Sequence, residues 1–237
     1  MQINWNKIIL VFVLIFSIGI FYASNHINNT RVISDIDVVI KPNSSFFISA
    51  DSIKKSINKY IYTSKDSISL SDIEHEIDKN TYVEKAQVYT MVGNKLYVNV
   101  KQKEPVARLI TVDSIFYLDK NSNFMSLSKL KSVDVPIIFG YDQSSDLGYL
   151  TKISLMIRHD KFLNQNISQI IINDNQEINL KLSGLNTFIE LGQNNKLEKK
   201  IQNLKAFYNR AIRKNDMEKY RKVNLQFENQ VVAVKKQ

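Results

Sequence analysis

The sequence predicts an α+β protein: a single N-terminal transmembrane helix, a small β-α-α-β-β unit, and a mixed β-domain with flanking helices. Three observations predict it. Ile8 to Ala23 is a run of sixteen residues without a charge. Two helix-start signals are followed by two segments in which apolar and polar residues alternate strictly. After Pro105 come further short apolar runs, separated by turn residues and by two stretches of helical periodicity.

The apolar run covers roughly 24 Å as a helix, and its flanks Trp5 to Lys7 and Ser24 extend it to the roughly 30 Å of a hydrocarbon core. Trp5 and Tyr22 stand where interfacial aromatics belong, and Lys7 can snorkel. Tyr22-Ala23-Ser24-Asn25-His26 lacks the alternating small residues that signal cleavage requires, so the run reads as an uncleaved anchor. The Lys and Arg bias between its two flanks is slight. A short leading tail before a long body favours residues 1–7 in the cytoplasm and the body outside. Residues 24–31 read as a polar linker.

The next unit spans 32–103. Val32 to Ile40 reads as a strand with Ile33, Ile36, Val38 and Ile40 as its apolar set, broken by Pro42-Asn43-Ser44. Ser49 or Asp51 can cap a helix carrying Ile53, Ile57 and Tyr60. Ser69-Leu70-Ser71-Asp72 fits a capping box, with Leu70, Ile73 and Ile77 as the buried stripe of a second helix. Ala86, Val88 and Thr90 then alternate with Gln87, Tyr89 and Met91. Beyond Val92-Gly93-Asn94, Leu96, Val98 and Val100 alternate with Tyr97, Asn99 and Lys101. Period two gives an antiparallel hairpin with one face buried.

The remainder, 104–237, opens at Glu104-Pro105, since proline interrupts a strand ladder. Leu109 to Leu118 and Phe124 to Leu127 suggest a hairpin around Asp119 to Asn123, and Pro136 to Gly140 a short strand. Leu147, Leu150, Ile153 and Ile157 share a helix face that ends near Phe162. Ile167 to Asn173 is a strand, and Ile178 to Leu182 turns at Ser183-Gly184 into Thr187 to Leu191. Leu197, Ile201, Leu204, Tyr208 and Ile212 make an amphipathic helix, and Val223 to Val234 reads as one closing strand.

The net charge is +9, and twelve Lys and Arg against four acids lie between Lys196 and Gln237. Such a region suits an acidic protein or anionic lipid, or is a solvated helix face; beyond a membrane, nucleic acid is not expected. The chain has no cysteine, which removes thiol nucleophiles and cysteine-based zinc sites. His26, His75 and His159 have no metal-ligand spacing, and no nucleotide-binding or hydrolase motif occurs. No catalytic, metal, cofactor or small-molecule site is expected, and the protein reads as a non-enzyme.

Tyr82-Val83-Glu84-Lys85-Ala86-Gln87-Val88, Lys95 to Val100 and Glu104-Pro105-Val106-Ala107 together resemble the FtsQ/DivIB family of bacterial division proteins. Ile189-Glu190-Leu191-Gly192, Leu197 to Leu204 and Val223-Asn224-Leu225-Gln226-Phe227 continue the resemblance in the family's order. Lys101-Gln102-Lys103 departs from it, standing where an acidic-basic run is usual. The resemblance implies a POTRA domain over 32–103 and a β-domain over 104–237. It implies a bitopic inner-membrane scaffold at the division septum with a periplasmic body, binding the FtsB/FtsL pair by strand addition. The expected partner site is Phe227-Glu228-Asn229-Gln230-Val231-Val232-Ala233-Val234, beside Arg210 and Arg213. The segment has strong β character, and a closing strand leaves one edge unpaired. The other classes open to a POTRA-bearing chain are an envelope assembly or secretion component and a cell-wall hydrolase.

Overall fold

The structure, a computed structural model, describes residues 5–29, 32–41, 47–64, 67–91, 93–193, 195–214, 216–227 and 230–236. Helix α1 (Trp5–Asn29) contains Lys7–Ile27, which is long and apolar enough to cross a membrane and is buried nowhere along its length. Ser17, its polar interruption, donates its hydroxyl to Val13 O at 2.8 Å, which satisfies the group within the helix. The helix runs to Asn29, so most of the segment read as a linker is helical. No proline or glycine stands between Gly19 and Asn29 to stop it.

The chain divides into two compact units, Met1–Gln102 and Lys103–Gln237. Beyond α1, the first contains β1 (Asp35–Lys41), α2 (Ala50–Ile57), α3 (Leu70–Asp78), β2 (Val83–Met91) and β3 (Lys95–Gln102). Both helices start where the sequence signals them. Ser52 N–H donates to Ser49 Oγ at 3.1 Å, and Asp72 N–H to Ser69 Oγ at 3.2 Å. Strand β3 lies in the middle, parallel to β1 and antiparallel to β2. Ile36, Ile40, Ala86, Val88, Leu96, Val98 and Val100 face Ile53, Ile57, Ile73 and Ile77 in one core. This is the β-α-α-β-β order of a POTRA domain. Val38 packs only at the margin of that core.

The second unit contains β4 (Pro105–Ile110), β5 (Ile115–Asp119), β6 (Phe124–Met125), β7 (Ile137–Phe139), α4 (Leu147–His159), α5 (Lys161–Asn166), β8 (Ile167–Ile172), β9 (Ile178–Leu182), β10 (Phe188–Gly192), α6 (Leu197–Arg213), β11 (Tyr220–Asn224) and β12 (Val232–Lys235). They form one mixed nine-stranded sheet in the order β12-β11-β10-β9-β8-β7-β4-β5-β6. Its core joins the sheet's apolar face to Leu150, Ile153 and Ile157 of α4, Leu163 of α5, and Leu197, Ile201 and Leu204 of α6.

Three elements differ from the sequence reading. Leu109 to Leu118 is the end of β4 and most of β5, folded back at Thr111 to Ser114. There Thr111 N–H donates to Ser114 O at 2.9 Å, and the Ser114 N–H to Thr111 Oγ1 at 3.0 Å. The helix read as ending near Phe162 breaks at Asp160. That residue's extended backbone ends α4, and its carboxylate accepts the Leu163 N–H at 3.1 Å to cap α5. Val223 to Val234 is two antiparallel strands, β11 and β12.

Candidate docking edge

The sheet of the second unit ends at β6, two residues long, and at β12, four residues long. The end carrying β12 is assembled by a parallel crossover, since β10 and β11 pair in parallel and α6 connects them. Where α6 begins, Lys200 lies under its first turn, only 6% exposed. Its ammonium donates to Leu191 O at 2.6 Å, Gln193 O at 3.0 Å and Asn195 Oδ1 at 2.5 Å. Burial pushes its pKa down. The sequence reading of the basic excess as an outer-face feature is therefore corrected at this position. Lys205 also turns inward to pair with Asp160.

From β11 the chain enters the terminal hairpin through a fixed corner. Leu225 N–H donates to Glu190 O at 2.9 Å, Gln226 N–H to Asn224 Oδ1 at 2.8 Å, and Asn224 Nδ2 to Glu190 Oε2 at 2.8 Å. The Gln226 side chain lies across Gly192, where an added Cβ would meet it at 2.7 Å and where φ is +69°. Both facts favour glycine at that position. Phe227 follows, 48% exposed.

Strand β12 pairs with β11 through Asn224 with Val232, Val223 with Ala233, Lys222 with Val234 and Tyr220 with Lys235. Lys236 N–H donates to Lys219 O at 2.7 Å. Alternation along an antiparallel strand then turns the backbone groups of Val232 and Val234 toward β11. Those of Ala233 and Lys235 point to the open side. Side chains alternate too: Val231 and Ala233 pack against the core, while Val232 and Val234 are 39% and 41% exposed.

Of the residues expected at the site, Val231, Val232, Ala233 and Val234 lie on or directly before the edge strand. Phe227 and Gln230 are exposed in the approach to it. Glu228 and Asn229 lie outside the described residues. Arg210 and Arg213 are exposed on α6, and among the described residues neither makes a hydrogen bond or ion pair with β12. The helix reaches the hairpin instead through Phe207, edge-on to Tyr220 with ring centroids 5.3 Å apart. Lys235, read as lying beyond the strand, is its last residue. The sequence carries no signal for it, since two lysines follow the unbroken apolar run Val231 to Val234.

A model of the family described as FtsQ/DivIB, C-terminal related, matches residues 104–234. A cell division protein FtsQ from Geotalea daltonii is 25% identical over 151 residues, covering 59% of this chain and 54% of that protein. The chain thus aligns with about half the length of this relative.

Proposed function

The chain belongs to the FtsQ/DivIB family, and from that premise we propose that it is a non-enzymatic, bitopic scaffold of the bacterial division septum. In this reading α1 holds it in the inner membrane, residues before the helix lie in the cytoplasm, and the rest of the first unit and all of the second lie in the periplasm. Its partners are division membrane proteins of the FtsB/FtsL type, bound by a strand added to β12. The single observation that supports this most is the outer side of β12. Ala233 and Lys235 turn backbone groups outward on a strand flanked by exposed Val232, Val234 and Phe227. An added strand would find hydrogen-bond partners and apolar contacts together. Lys235 and Lys236 add positive charge there, which suits an acidic segment and speeds encounter more than it tightens binding.

Two prolines distinguish docking from folding. Proline at Val232 removes a bond to β11 and is expected to disrupt the hairpin. Proline at Ala233 removes a donor from the open side only, where edge strands tolerate it. Ala233→Pro is expected to keep the wild-type melting curve and to lose capture of FtsB by about tenfold or more. Capture at the wild-type level by a folded Ala233→Pro variant would refute docking at β12.

A further inference from the structure

The sheet of the first unit also has an outer strand of edge type, β2, which among the described residues pairs only with β3. Two neighbouring outward backbone donors of this strand are already taken. Val88 N–H donates to Glu74 Oε1 at 2.7 Å, and Ala86 N–H donates to Asp78 Oδ1 at 2.7 Å. Glu74 and Asp78 are four residues apart on α3, hence on one face of the helix, and their spacing matches two alternate residues of the strand. Both bonds join a backbone N–H to a carboxylate, the stronger charge-assisted kind. A β-bulge between Val83 and Lys85 interrupts the register at the start of the same strand, a second device that blunts an edge.

We propose that Glu74 and Asp78 are an edge guard: their carboxylates close β2 to strand addition, and without them β2 pairs with β2 of a second copy of this chain. This does not depend on the docking reading at β12. A second copy is the occupant because the strand is self-complementary about Gln87. Antiparallel pairing centred there sets Ala86 against Val88, Lys85 against Tyr89 and Glu84 against Thr90 of the other copy. No like charges meet, and each Lys85 lies beside a tyrosine ring.

That geometry supplies its own probe. The freed N–H groups of Ala86 and Val88 would bond across the dyad. Gln87, exposed on β2, would therefore face its counterpart in a non-hydrogen-bonded pair, with Cα atoms about 4.5 Å apart. A cysteine pair there is within disulfide reach. The chain has no cysteine of its own, so Gln87→Cys gives one reporter in the full-length protein in detergent. With Glu74 and Asp78 intact, copper-phenanthroline oxidation should leave it largely monomeric on a non-reducing gel. Adding Glu74→Ala and Asp78→Ala should raise the cross-linked dimer about tenfold. Glu74→Gln with Asp78→Asn keeps an acceptor oxygen at each place and should remain monomeric. Circular dichroism melts establish folding, and if the double alanine variant does not fold, Glu74→Ala alone is read on the same scale. A folded alanine variant no more cross-linked than Gln87→Cys alone overturns the proposal. So does equal cross-linking with the acids intact.

Discussion

Asp160 joins three helices. It ends α4, caps α5 through Leu163 N–H, and pairs with Lys205 of α6. The Lys205 hydrogen bond first, and the backbone N–H groups it caps next, hold its carboxyl below the ordinary value of 3.8. A carboxylate favoured in the folded state contributes stability that is complete above 3.8 and is lost as pH falls through the lower folded value. Asp160→Asn should therefore be less stable at pH 7, by about 1 kcal/mol because the pair is partly exposed and asparagine still caps. The deficit should shrink once pH drops below 3.8. Thermal melts of both proteins at neutral and strongly acidic pH measure this, and a deficit unchanged at acid pH would rule out the ion pair as its source. Lys200 shows what a helical pattern discloses and what it withholds. Position 200 borders the buried stripe of Leu197, Ile201 and Leu204, yet its charge reads as part of the solvated basic face, so its burial was not legible. The three oxygens that receive its ammonium come from the end of β10 and the loop before α6, and no spacing announces them.

Elements were legible where a local signal and a hydrophobic period agreed. Ser49 and Ser69 cap where they should, and the alternation of β2 and β3 gives their buried face directly. Val98 is 1% exposed on the central strand, paired with Val38 on one side and Val88 on the other. Val98→Asp should bury an unpaired charge and unfold the first unit, a cost above about 3 kcal/mol. Amide exchange should lose protection across β1 to β3 and keep it in the second unit; full protection throughout would contradict the face assignment. Legibility failed where a pattern ran unbroken through a corner. Apolar residues continue from Ile157 to Phe162 and Leu163, so only the extended backbone at Asp160 reveals the break. The residues between Asn224 and Val232 include neither glycine nor proline, so two strands read as one. The edge strand was nonetheless visible in its β character. Which of its N–H groups face outward was not, because that depends on register with β11.

At the scale of the whole molecule, one helix among the described residues is long and apolar enough to cross a membrane. If α1 stays attached and crosses once, protease added to spheroplasts should digest everything after α1 while intact cells protect it. A body resistant in spheroplasts, or a mature N-terminus near Asn25, would reverse this reading. The order of the nine-stranded sheet has a further consequence, for biosynthesis. Among the described residues strand β12 pairs with β11 alone, and β11 reaches β10 only after α6 has crossed over. The open edge is thus built by the last strands in chain order, upon strands already laid down. Everything through Lys235 must have left the ribosome before that edge can exist. A nascent chain exposed only as far as α6 therefore has no such edge to offer, to the right partner or to a wrong one.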